Sequence, residues 1–167
     1  MPRNAEYVTV CVLLWGHDRL LRGPRDSRPG ARGDPVSGAV VRGACLCGAV
    51  KFEAELPSLW CAHCHCSQCQ RFHGAPLVTW VGMAEDRFRI TLGEHKLRWY
   101  ASSAPAQRGF CGDCGSSLLF RSTRWPGEIH VALPNLLDPI DRAPEGHVHY
   151  DTHVDWLPLA DDLPRKI

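Results

Sequence analysis

Apolar and polar side chains alternate over short stretches from residue 50 onward. Val50, Phe52 and Ala54 are separated by Lys51 and Glu53 and followed by Glu55, while Phe88, Ile90 and Leu92 are separated by Arg89 and Thr91. A period of two places successive side chains on opposite faces of a pleated strand, so each stretch reads as a strand with one buried face. Comparable segments punctuated by Gly and Pro predict further strands over residues 77–81, 96–101, 117–121, 129–133 and 148–150. No window sustains a helical period. Short turns of helix are expected only after Cys66 (SQCQRF) and after Leu133 (PNLLD). The pattern therefore predicts a mainly β domain of two sheets with very little helix and no internal repeat.

The alternation is absent from residues 22–38, which read RGPRDSRPGARGDPVSG and hold only Ala31 and Val36 as apolar side chains beyond proline. Such a stretch buries too little apolar surface to offset its ordering entropy. Residues 1–38 are expected to be a disordered extension, 39–164 the folded domain and 165–167 a short C-terminal tail. The extension carries six arginines against four acids over residues 1–36, within a chain of net charge +1. It reads as an inert tail, a translation start set upstream of the true one, or a basic arm. The near-neutral domain has no field for nucleic acid, and no nucleic-acid partner is expected.

No run of 18 apolar residues occurs, so no membrane span is expected. The early apolar run over residues 8–15 lacks the charged leader and small-residue cleavage site of a secretory signal. The chain is therefore expected in the cytoplasm, where thiols persist and clustered cysteines point to metal rather than disulfides.

Of the nine cysteines, seven fall into three groups: Cys45 and Cys47; Cys64, Cys66 and Cys69; Cys111 and Cys114. CGDCG at 111–115 is a zinc knuckle, in which two thiolates reach one ion and glycines relieve the tight turn. A knuckle supplies half a site, and Cys45 with Cys47 is its natural partner. Four thiolates on Zn²⁺ leave no vacancy, so this set is expected to hold the fold together. The middle trio supplies three soft ligands, which favour zinc over magnesium or calcium and leave a fourth position for water, a thiolate or a carbonyl oxygen. Cys61, His63 or His65 could instead close that site, and rubredoxin-like iron or an iron–sulfur cluster fits the same ligand type. Two zinc ions per chain are expected.

Cys11 has no partner nearby and receives no role. His17, His95, His130 and His153 stand isolated and read as solvated or hydrogen-bonded side chains. Arg71, His73 and His147 are candidate anion-binding or proton-handling neighbours of the trio, with His149 a further candidate. The tryptophans at 60, 80, 99, 125 and 156 are expected in the core or in pocket walls.

The motifs GACLCGAVKFE (43–53), CHCSQCQRFHGA (64–75), RGFCGDCGSSL (108–118), NLLD (135–138) and PEGHVHYDTHVDWLPLADDLP (144–164) occur in an order that resembles the glutathione-dependent formaldehyde-activating enzyme family, which includes centromere protein V-like domains. The resemblance covers about residues 39–164. It implies an Mss4-like, zinc-pinned fold of antiparallel sheets. It also implies that Cys45, Cys47, Cys111 and Cys114 hold a structural zinc, and Cys64, Cys66 and Cys69 a catalytic one. The implied activity is that of a carbon–sulfur lyase, written as condensation of formaldehyde with glutathione to S-(hydroxymethyl)glutathione; the partners are then a small aldehyde and a thiol. No glutathione clamp can be identified by residue. The alternative from the residues is a non-catalytic zinc-binding module for a protein or nucleic-acid partner, and a zinc store would share the open site.

Overall fold

The computed structural model describes residues 38–167. Cys11 and the expected extension, apart from Gly38, lie outside the described residues. The fold is mainly β. Its strands are β1 (Val40–Ala44), β2 (Lys51–Glu55), β3 (Trp60–Cys64), β4 (Val78–Ala84), β5 (Phe88–Leu92), β6 (Leu97–Ser103), β7 (Ala106–Cys111), β8 (Ser117–Ser122), β9 (Glu128–Ala132) and β10 (His147–Val148). The one α-helix among the described residues, α1 (Ser67–His73), follows Cys66 where the sequence predicts a helical turn. A 3₁₀ turn at Leu133–Asn135 occupies the other predicted position.

The strands form two sheets, ordered β1-β2-β5 and β10-β3-β4-β9-β8-β7-β6. All pairings are antiparallel except β10 with β3, where His147 lies opposite His63. The predicted strand at 148–150 is shorter than expected, because Tyr150 already belongs to a 3₁₀ turn. Residues of the predicted tail join the same region: Arg165 bridges to His147, and the Lys166 amide donates to the His147 carbonyl at 2.8 Å.

Alternation along the central strands separates two apolar clusters, one on each face of the larger sheet. Cys61, Val81, Met83, Ile129 and Val131 pack with Val41, Phe52 and Ala54 of the smaller sheet to form the main core. Cys64, Val78, Trp80 and Ala132 belong to the second cluster with Cys69 of α1. Trp60, Trp80 and Trp125 border a cavity in this second region, and Trp99 packs against the main core under the Arg121 guanidinium. The expectation fails for Trp156, which is 71% exposed: it lies in an irregular segment without a sheet partner.

Candidate active site and metal centres

Cys45 and Cys47 sit in the turn that leads from β1 to β2, while Cys111 ends β7 and Cys114 lies in the turn to β8. Their ligand atoms all lie within 4.8 Å of one another. Cys45 Sγ is 3.5 Å from Cys47 Sγ, and Cys47 Sγ is 3.9 Å from Cys111 Sγ. These spacings match the edge of a tetrahedron with metal–sulfur bonds of about 2.3 Å, which is about 3.8 Å. The two turns are built alike. Gly48 (φ 73°) donates its amide to the Cys45 carbonyl at 3.0 Å, and Gly115 (φ 75°) donates to the Cys111 carbonyl at 2.9 Å. Both need the left-handed conformation that glycine adopts without steric cost. The Val50 amide also donates to Cys45 Sγ at 3.2 Å, and hydrogen bonding from Ser116 holds the Cys114 thiol down at about 6. The four cysteines thus form a set able to hold one metal ion, as their spacing predicts.

The middle trio is arranged around the start of α1. Cys66 is the residue before the helix, and the first turn carries Cys69 back toward the end of β3, so Cys64 Sγ donates to Cys69 Sγ at 3.7 Å. That distance is again a tetrahedral edge. All three cysteines line one cavity, but Cys66 Sγ does not join the other two as closely as the outer four join one another. Cys61 and His63 fall on the other face of β3. Cys61 is buried in the main core with its thiol pushed up to about 11 by burial, and His63 Nδ1 pairs with Thr79 Oγ1 at 2.8 Å. The same alternation turns these two side chains from the face that carries Cys64, although Cys61 still borders the cavity.

Arg108, on β7, was not singled out from the sequence, yet it dominates the electrostatics here. It is only 3% exposed, and its Nη1 donates to Cys69 Sγ at 3.4 Å. Its guanidinium lies 5.1 Å from the Phe120 ring centre and 5.6 Å from that of Phe72. Among the described residues it makes no ion pair with a carboxylate. A buried cation without a counter-charge is costly, so the facing sulfur is its natural partner. The hydrogen bond from Cys64, together with the Arg108 charge, holds Cys69 down at about 5 in spite of burial. The same bond and burial push Cys64 far above the ordinary thiol range. Of the two, Cys69 is thereby the one favoured as a thiolate.

The cavity measures about 410 Å³. Its aromatic lining comes from Trp60, Trp80, Phe120, Trp125 and His130, and exposed Glu145, His149 and Lys166 lie at its opening. His130, read from sequence as an isolated histidine, is buried there and meets Glu128 Oε2 at 3.2 Å, the same oxygen that accepts from Trp60 Nε1 at 2.9 Å. The other candidates lie around this cavity rather than on its wall. Arg71 borders a shallower groove with Gln68, Tyr100, Ser102 and the other side of Arg108. His73 packs edge-on against Trp80, its Nε2 buried without a partner. His147 is fully buried and reaches the trio through His65, whose Nε2 lies 2.8 Å from His147 Nδ1; Asp161 Oδ1 lies 3.0 Å from His147 Nε2.

A model of the family described as glutathione-dependent formaldehyde-activating enzyme matches residues 40–152, from the first strand to beyond the last. The chain belongs to this family. Within it, a Halomonas elongata protein provisionally named a glutathione-dependent formaldehyde-activating enzyme is 28% identical over 128 residues, 72% of this chain and 81% of that protein. An uncharacterized lyase of Schizosaccharomyces pombe is 35% identical over 83 residues, 48% of this chain and 57% of the yeast protein. A crystal structure of a Rhodobacter sphaeroides protein shares the fold with a TM-score of 0.52 at 28% identity, over 60% of this chain and 92% of that one. The region matched by the formaldehyde-activating family contains all seven grouped cysteines and Arg108, but Asp161 and Lys166 lie beyond it.

Proposed function

We propose that this protein is a zinc-dependent carbon–sulfur lyase that joins a thiol to an aldehyde and cleaves the adduct. Glutathione and formaldehyde are the pair its family name points to. Cys45, Cys47, Cys111 and Cys114 would hold a structural zinc; Cys64, Cys66 and Cys69 would hold a second, catalytic one. The observation that carries this reading is the buried Arg108 guanidinium set against Cys69 beside a half-open cavity. Purely structural sulfur sites need neither a neighbouring cavity nor a buried cation.

Zinc bound to three cysteines supplies Lewis acidity and a position at which a substrate thiol is held deprotonated. The chain does the rest. Arg108 offsets the negative charge of the sulfur ligands in a region where water screens little. The aromatic walls exclude bulk water and hold the two reactants together, which lowers the entropic part of the barrier. Glu145 and His149 at the opening carry lone pairs able to accept the thiol proton, and Lys166 adds a positive charge beside them. The eight cysteines among the described residues are unbridged, and no described helix is long and apolar enough to cross a membrane. A reducing compartment such as the cytoplasm suits that thiol-rich chemistry.

The test is Cys66→Ser in the zinc-loaded chain, with zinc counted per chain and adduct exchange between glutathione and formaldehyde followed by NMR. Turnover is expected to vanish while the fold and one zinc remain. Full activity in a variant that has lost its second zinc would overturn the mechanism.

A further inference from the structure

The cavity is much larger than formaldehyde requires, and its wall away from Arg108, His149 and Lys166 is apolar. A one-carbon unit attached to sulfur needs little room beside the cysteine trio. The space available, about 410 Å³, is in the range that accommodates an organic ligand of many atoms. Its walls are rings. Trp80 and His130 are buried on the floor, Trp60 and Phe120 flank them, and Trp125 stands at the opening, 43% exposed. Neighbouring rings lie close enough to share a guest: Trp60 and His130 are 4.6 Å apart between centres, Phe120 and His130 5.3 Å, Phe120 and Trp125 6.1 Å. Two polar atoms of this wall are already engaged, since Glu128 accepts from Trp60 Nε1 and meets His130 Nε2. Such a wall offers chiefly edge and face contacts, which suit an apolar group.

We infer that the aldehyde handled at this site carries an aryl or comparably bulky apolar substituent, which lies among Trp60, Phe120, Trp125 and His130 while its carbonyl carbon faces the cysteine trio. The inference rests on the lyase reading and names the aldehyde class for it. The thiol is the more polar reactant, so the aldehyde is the one whose carbon chain fills the apolar cavity. The reaction balances without a redox partner. A sulfur lone pair forms the new carbon–sulfur bond, the carbonyl π pair moves onto oxygen, and the thiol proton ends on that oxygen; cleavage reverses each step.

The experiment compares phenylacetaldehyde with formaldehyde as partners of glutathione in the zinc-loaded full chain, by NMR exchange. In parallel, benzyl alcohol, an unreactive ring-bearing probe, is titrated while tryptophan fluorescence is followed. Phenylacetaldehyde is expected to exceed formaldehyde in kcat/KM by at least about tenfold, the discrimination one well-filled apolar subsite supplies. Benzyl alcohol is expected to alter the fluorescence saturably. Trp125→Ala, at an exposed position where folding is readily confirmed by circular dichroism, should reduce the preference ratio and weaken the benzyl alcohol response. Formaldehyde turnover without a preference for phenylacetaldehyde, or without a saturable response, would overturn the aldehyde assignment and leave the lyase reading intact. Turnover of neither aldehyde would overturn both.

Discussion

His65 and His147 meet ring to ring through a 2.8 Å contact between Nε2 and Nδ1, although they lie 82 residues apart. His65 stands between two cysteines of the trio; His147 is anchored by Asp161 from the C-terminal segment. The His65 carbonyl is held as well, by Gln70 Nε2 at 2.8 Å and Thr152 Oγ1 at 2.9 Å. The loop that presents the sulfurs is thus positioned by residues well beyond it.

If Cys64, Cys66 and Cys69 hold the proposed second metal, Asp161→Ala should therefore weaken its binding without unfolding the chain. Outer partners of this kind are worth about 10–100-fold in metal affinity. Chelator competition on the full chain checks it: the first ion should be retained as in the parent. Equal affinity for the second ion in parent and variant would show that the anchored pair does not support the trio.

Cys111→Ser should have a different consequence, loss of fold. Four-thiolate zinc sites contribute on the order of 10 kcal/mol to folding, comparable with the whole net stability of a domain, about 5–15 kcal/mol. Far-UV circular dichroism should show the β signal lost at room temperature, whereas Cys66→Ser keeps it.

Gly82→Ala should disturb the cavity from the neighbouring strand. A Cβ at Gly82 would collide with the Trp60 indole, which stands over it and donates to Glu128. The near-UV circular dichroism of the tryptophans is expected to change and kcat/KM to fall; an unchanged spectrum with full turnover would mean that Trp60 has freedom the packing does not suggest.

His73 gives a pH dependence whose sign is fixed by its burial. Burial, aided by the Arg108 charge, depresses it to about 4. The unfolded chain binds that proton with a pKa near 6.5, so the contribution is present above about pH 6.5 and is lost as pH falls toward 4. His73→Phe also removes a buried Nε2 that has no partner. Its unfolding midpoint should exceed that of the parent by more at pH 5 than at pH 8, a difference read by denaturant titration at each pH.

How much the sequence disclosed depended on whether a signal was local. β2 and β5 declare themselves by alternation, and the zinc knuckle by its CxxC spacing. β3 was hidden because its WCAHC reads as ligand chemistry before it reads as a strand. β7 was hidden because AQRGFC places a buried arginine and a glycine where apolar residues would mark the strand. Arg108 gives no local sign of its role, since only the fold turns a strand arginine inward onto Cys69. The aromatic cavity is likewise assembled from separate strands and the loop bearing Trp125. No sequence window contains it.

The four-cysteine cluster also imposes an order in time. Two of its thiols lie in the turn between β1 and β2, and the other two arrive with the turn after β7, Cys47 and Cys111 being 64 residues apart. During synthesis the early hairpin must carry reactive, unpaired thiols until its distant counterpart leaves the ribosome. Closure over such a long loop adds little extra entropic cost per residue, but it cannot begin sooner. Capture of a metal by this cluster would therefore be a late step, at which both sheets become committed to one another.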